Sequence, residues 1–199
     1  MTPAARSEEP LRPRAVILVE GVSDQLAVET LARRRGRDLD AEAVAIVAMG
    51  GATNIRKFLE RFGPHGMGVT VAGLCDAAEE HDFRRAMERA GFGSNLTRAE
   101  MAGLGFHVCV QDLEDELIRS LGPAAVERII EEQGELGPFR TFQRQPAQRG
   151  RTVERQLRRF MGTRSGRKFV YASLLVNALD LANVPVPLDG VLEHVRPRL

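Results

Sequence analysis

Cysteine, tryptophan and tyrosine are nearly missing from this sequence, with two Cys, no Trp and one Tyr in 199 residues. The two cysteines, Cys75 and Cys109, form no disulfide framework and lack the paired spacing of a zinc site. Each lies in or at the end of an apolar run, where a buried reduced thiol is the usual occupant. Scarce aromatics leave the core to be built from Leu, Val, Ile and Ala. No run approaches the roughly 18 apolar residues of a membrane span. Residues 1–14, rich in Pro and charge, hold no apolar signal-peptide stretch and read as a flexible tail. The expectation is a cytoplasmic chain with no membrane partner. No glycine-rich fingerprint follows the first apolar run, which disfavours a nucleotide-binding enzyme.

What is present is an alternation. Apolar runs at 15–19 (AVILV), 43–48 (AVAIVA), 69–74 (VTVAGL) and 106–110 (FHVCV) are continuous, as in strands covered on both faces. Between them, 23–35, 53–61 and 80–90 carry apolar residues at helical spacing. Strand–helix alternation predicts an α/β domain over 15–111 with a mainly parallel four-stranded sheet flanked by helices. From residue 112 the strand signal stops. Helices are expected at 112–121, 123–133, 152–161, 168–181 and 188–195, forming a helical extension to residue 199. The segment 138–150 (PFRTFQRQPAQRG) is polar, basic and interrupted by Pro and Gly, and is expected to be an exposed loop.

Ligands of open α/β sheets gather at the carboxyl ends of the strands. The first predicted strand ends in Glu20-Gly21, with Asp24 in the next turn. The second ends in Gly50-Gly51, a pair that most often marks a tight turn and that also lets a phosphate approach the backbone. Asp76 ends the third, followed by Glu79 and Glu80, and the fourth stops just before Asp112, Glu114, Asp115 and Glu116. Taken singly, Asp24, Glu79 and the 112–116 run each fit an ordinary acidic helix start. An acid directly after a buried strand, as at Glu20, is harder to explain that way. Carboxylates delivered to one edge repel unless something neutralises them, and hard oxygen donors suit Mg²⁺ or Mn²⁺.

The ordered set LVEGVSD, GG, LCD and LEDEL resembles the Toprim domain, found in topoisomerases, bacterial primases, small recombination and RNA-maturation proteins, and OLD (overcoming lysogenization defect) nucleases. Glu20-Gly21 matches that family's Glu-Gly, and Asp76 matches the leading Asp of its Asp-x-Asp. Asp24, Glu114 and Lys168, at the start of a late helix, match further positions of the OLD branch. The resemblance implies a nuclease in which Glu20, Asp24, Asp76 and Glu114 hold one or two Mg²⁺ or Mn²⁺ ions, with Glu20, Asp76 and Lys168 catalytic. The sequence departs from the pattern at Ala78, where the second Asp is expected; either Glu79 supplies the missing oxygen from one residue further along, or one metal binds weakly. No GxxxxGKS/T loop occurs, so the resemblance is to a standalone form whose ATPase acts in trans. Topoisomerase activity is disfavoured because the single Tyr171 falls within a predicted helix.

Between Phe139 and Lys168 stand ten basic residues against Glu154 alone. That excess suits a phosphate backbone, with Arg155, Arg158, Arg159, Arg164 and Arg167 as contacts and DNA as the expected nucleic acid. The competing expectation for these arginines is a solvated face paired with the acids of 127–135. The competing expectation for the whole chain is a degenerate Toprim module, binding nucleic acid or a partner ATPase without cutting.

Overall fold

A computed structural model describes residues 12–164 and 166–197. Most of the expected tail, 1–11, lies outside the described residues. Arg14, also expected in that tail, is tied down instead, donating to the Val195 carbonyl at 2.8 Å.

Four strands, β1 (Ala15–Val19), β2 (Val44–Ala48), β3 (Thr70–Cys75) and β4 (Phe106–Val108), pair in the order β2-β1-β3-β4, all parallel. The helices between them are α1 (Val22–Arg34), α2 (Ile55–Phe62), α3 (Glu80–Arg89) and α4 (Arg98–Gly103). The strand order decides where they go. The chain steps one way from β1 to β2 and the other way from β2 to β3 and on to β4. Right-handed crossovers therefore put α1 on one face and α2, α3 and α4 on the other. Side chains alternate accordingly along β1. Ala15, Ile17 and Val19 join the core on the α1 face, and Val16 and Leu18 join the core on the α2–α3 face. The direction reverses between β1 and β3, which makes their carboxyl ends the favoured position for a site.

The helical half comprises α5 (Leu113–Leu121), α6 (Pro123–Glu132), α7 (Leu136–Gln143), α8 (Val153–Met161), α9 (Arg167–Ala178) and α10 (Val186–His194). It shares the core of the α1 face. Tyr171, Leu175 and Val176 of α9 are buried in one cluster with Ala27, Val28 and Leu31 of α1. One continuous apolar cluster thus crosses the expected boundary at residue 112.

Two elements differ from expectation. The exposed loop expected at 138–150 is α7 followed by a short 3-10 turn at Pro146–Gln148. Two phenylalanines explain this: Phe139 and Phe142 bury against Phe160 at centroid distances of 5.1 and 5.7 Å. Pro138 falls in the first turn of α7, where its missing N–H costs nothing. The second element, α4, was not expected at all, although Thr97 and Glu100 form a reciprocal capping box at its start.

Gly73 is a point of close approach in the sheet. It pairs with Phe106, and a Cβ there would stand 2.6 Å from that ring. The ring is fully buried and packs edge-on against Phe92 at 5.4 Å, so it has little room to retreat. Gly73→Ala is expected to cost about 1–3 kcal/mol. The check is a lower urea midpoint at unchanged slope; an unchanged midpoint would show that the β3–β4 layer yields freely.

Candidate metal centre at the carboxyl edge of the sheet

Glu20 follows β1 directly, and Gly21 opens α1 in an extended conformation. The Gly21 amide donates to Asp24 Oδ2 at 3.0 Å, which folds Asp24 back toward the strand end. On the neighbouring strand Asp76 follows β3. The Glu79 amide donates to the Asp76 carbonyl at 3.1 Å, closing a turn that returns Glu79 beside Asp76. Glu20, Asp76 and Glu79 each offer an oxygen within 4.8 Å of the others. The position after Asp76-Ala77-Ala78 thus places a carboxylate in the cluster from one residue beyond the family's second Asp.

The electrostatics express the crowding. Burial, then the neighbouring charges of Asp112, Asp24, Glu20 and Glu79, push the Asp76 carboxyl up to about 8. Burial and then Glu114 push Asp24 up to about 7, against the opposing hydrogen bond from Gly21. Glu20 is raised as well, by burial and then by Glu79. Glu79 Oε2 is buried without a hydrogen-bond partner among the described residues. A buried, unpartnered oxygen in a cluster of like charges costs free energy unless a cation meets it. The donor set therefore fits a hard divalent ion of the Mg²⁺ or Mn²⁺ kind. Zinc fits poorly: the nearest sulfur chemistry, Cys75, is a buried thiol that burial holds well above its usual range.

The acidic run 112–116 divides by task. Asp112 caps α5, accepting from the Asp115 amide at 2.9 Å, and its other oxygen pairs with Arg158 of α8. Asp115 and Glu116 pair with Arg119 at 2.9 and 2.7 Å, and Glu116 also accepts from the Val110 amide at 2.7 Å. Glu114 is different. It is buried and meets the Lys168 amine of α9 at 3.1 Å. Both charges act on Glu20 and Asp24, so the structure brings Glu114 and Lys168 to the same edge as the cluster.

Other expected residues are committed elsewhere. Gly50 and Gly51 hold positive φ values of 72° and 123°, and both amides donate to the Glu20 carbonyl at 3.1 and 3.2 Å. Those N–H groups are therefore spent on positioning Glu20 and do not form an open phosphate cradle. Arg167 is buried, bonded to Glu135 at 2.8 Å and stacked over Phe160 at 4.0 Å. It is a structural arginine, held inward with Tyr171, whose hydroxyl also donates to Glu135 at 2.9 Å. Arg164 is exposed and lies 3.7 Å from Glu135, and Arg158 is shared with Asp112. Arg155 and Arg159 are exposed with no ion pair among the described residues. Sequence reasoning missed the Asp112–Arg158 tie between α5 and α8; the Asp-x-x-Asp spacing of a helix cap was its only signal.

Residues 13–77 match the family model described as the overcoming lysogenization defect protein-like TOPRIM domain. This is the resemblance carried by Glu20-Gly21 and Asp76, and the similarity to an OLD-like Toprim domain extends over that segment. No curated protein matches the chain. Two solved structures share the fold over nearly the whole length. The C-terminal region of the Xanthomonas campestris pv. campestris OLD protein is 23% identical, with 94% of this chain and 96% of that one covered and a TM-score of 0.67. The C-terminal region of the Burkholderia pseudomallei OLD protein is 19% identical, with 92% and 97% covered and a TM-score of 0.70. The helical half is thus part of the shared fold. Among the described residues no helix is long and apolar enough to cross a membrane.

Proposed function

We propose that this chain hydrolyses phosphodiester bonds of nucleic acid with the help of Mg²⁺ or Mn²⁺. The observation that carries the reading is the Glu20–Asp76–Glu79 cluster, with its buried, unpartnered Glu79 oxygen, inside an OLD-like Toprim domain. Glu20, Asp76 and Glu79 would hold the first ion, and Asp24 and Glu114 are the remaining oxygen donors for a second. A bound ion of this kind supplies positive charge against the phosphate and lowers the pKa of its water. Lys168 contributes an amine at the edge, held by Glu114, that would offset charge on the phosphate. The Gly50-Gly51 turn fixes the backbone of Glu20, and so aims its carboxylate.

The test is cleavage of plasmid DNA and of RNA by the purified protein with Mg²⁺ or Mn²⁺, against a chelator and against Glu20→Gln. Metal-dependent cleavage lost in the variant supports the hydrolase. A second reading rests on one specific observation, Ala78 at the second Asp position of the family pattern. On that reading the chain binds metal and nucleic acid without cutting, and stabilisation by metal with no cleavage of either substrate would favour it.

The exposed arginines of α8 give a separate expectation. Arg155→Ala with Arg159→Ala should weaken nucleic-acid binding across all sequences and lower the magnitude of its salt slope by about 2. Arg158 is left out because its removal strips the partner from Asp112 at the start of α5. An unchanged slope in the double variant would take α8 off the binding surface.

A further inference from the structure

A second basic surface lies on the opposite face of the sheet from α8. A cleft of about 460 Å³ opens between the start of α2 and the body of α3, where Arg56 and Lys57 face Arg85 and Arg89 across a gap that holds one acid, Asp82. Arg56 is partly neutralised by Glu60 at 3.3 Å. Lys57, Arg85 and Arg89 are exposed and have no ion pair among the described residues. Charges on an ordinary solvated face spread outward along one helix. Here two helices turn like charges onto a shared concavity, an arrangement that repels itself until an anion enters.

The walls of this cleft are anchored at the acidic cluster. The 3-10 turn leading into α2 follows Gly50-Gly51, whose amides grip the Glu20 carbonyl, and Asn54 fastens that turn to the Met49 carbonyl at 2.9 Å. The other wall, α3, begins one residue after Glu79. At 1.5 Å per helical residue, Arg85 stands about 9 Å and Arg89 about 15 Å along α3 from Glu79. Both are within a few nucleotides of the cluster, given about 3.4 Å of axis per nucleotide.

The geometry points to this cleft as the seat of the nucleic-acid backbone on one side of the scissile phosphate, with the α8 arginines receiving it on the other. The bound strand then straddles the carboxylate edge, gripped from both faces of the sheet. The inference rests on the proposed hydrolase and deepens it, since it names how the substrate lies. The contacts are to phosphates, so binding here carries no sequence preference.

The test measures fluorescence polarisation of a labelled DNA duplex of about thirty base pairs, and of an RNA duplex of the same sequence, across a salt series. Wild type is compared with the Lys57→Ala/Arg85→Ala/Arg89→Ala triple variant. All three side chains are exposed, and an unchanged melting temperature with an unchanged response to Mg²⁺ certifies the fold and the acidic cluster. Should the triple variant melt early, the single variants Arg85→Ala and Arg89→Ala carry the comparison. The expected result is a salt slope smaller in magnitude by about three and an affinity lower by roughly 10- to 100-fold at moderate salt, with slower cleavage to match. Wild-type binding and cleavage with an unchanged slope in the variant would overturn the cleft while leaving the hydrolase standing. A wild-type protein that neither binds nor cleaves either duplex would overturn the hydrolase, and the cleft with it.

Discussion

Asp76→Asn is expected to lower metal-dependent cleavage by at least about 10³-fold while the protein remains folded. The amide keeps the size of the carboxylate and removes its charge, so the change reaches the ion rather than the packing. Asp76 follows β3 at the switch between β1 and β3 and shares the cluster with Glu20 and Glu79. Without it, Glu20 and Glu79 keep their charges but the cluster loses one of its three, which weakens its hold on a hard cation. Charge stabilisation by a bound ion is worth several kcal/mol in the transition state, and each 1.36 kcal/mol is a factor of ten. Lys168→Ala should behave differently, slowing cleavage by about 10²-fold while metal still stabilises the protein, because the amine does not ligate the ion. The two variants are separated by measuring turnover and the metal-dependent melting shift on the same samples. Cleavage by Asp76→Asn at the wild-type rate would remove the cluster from the chemistry.

How much of this was legible in the residues depended on whether one strand end or several elements decided the outcome. β1 was bounded correctly at both ends because a continuous five-residue apolar run closed by Glu-Gly leaves no other register. Glu20 and Asp76 followed from the same logic, since the residue after a buried parallel strand must emerge at the carboxyl edge. The acids of 112–116 were not separable in sequence. Only the rotation of α5 decides that Glu114 meets Lys168 while Asp112 caps the helix and Asp115 and Glu116 take Arg119. Arg167 was hidden for a similar reason. Its neighbours in the chain are basic, but Phe160 and Glu135, brought in by α8 and by the turn before α7, pull it inward. The same two helices turned the expected loop at 138–150 into structure, because Phe139 and Phe142 have an aromatic partner that lies far along the chain. The α2–α3 cleft escaped because its cations are scattered over three turns of two helices and form no run.

Raising the pH from about 7 to about 8.5 should destabilise the metal-free protein, and Mg²⁺ should restore most of what is lost. Burial and like charges lift Asp76 to about 8 and Asp24 to about 7, whereas both ionise near 3.8 in the unfolded chain. Between those values the native state binds protons that the unfolded state has released, so stability falls as pH rises and the fall is complete only above the raised values. Burial depresses His107, which gives a contribution of the opposite sign, centred below this window. The buried thiols of Cys75 and Cys109 are raised in the native state and add a loss of the same sign only nearer pH 9. Mg²⁺ requires the ionised carboxylates, so its binding releases protons and tightens as pH rises. At about 100 times its dissociation constant the ion contributes about 2.7 kcal/mol, or roughly 5–10 °C in melting temperature for a chain of this size. The metal response should therefore be small near pH 7 and large near pH 8.5. Asp76→Asn isolates the cause: without metal it should lose less stability over the same interval than the wild type, and with metal it should gain almost nothing. A wild-type melting curve that ignores both pH and Mg²⁺ would mean that these carboxylates neither crowd nor bind, and the metal centre would have to be abandoned.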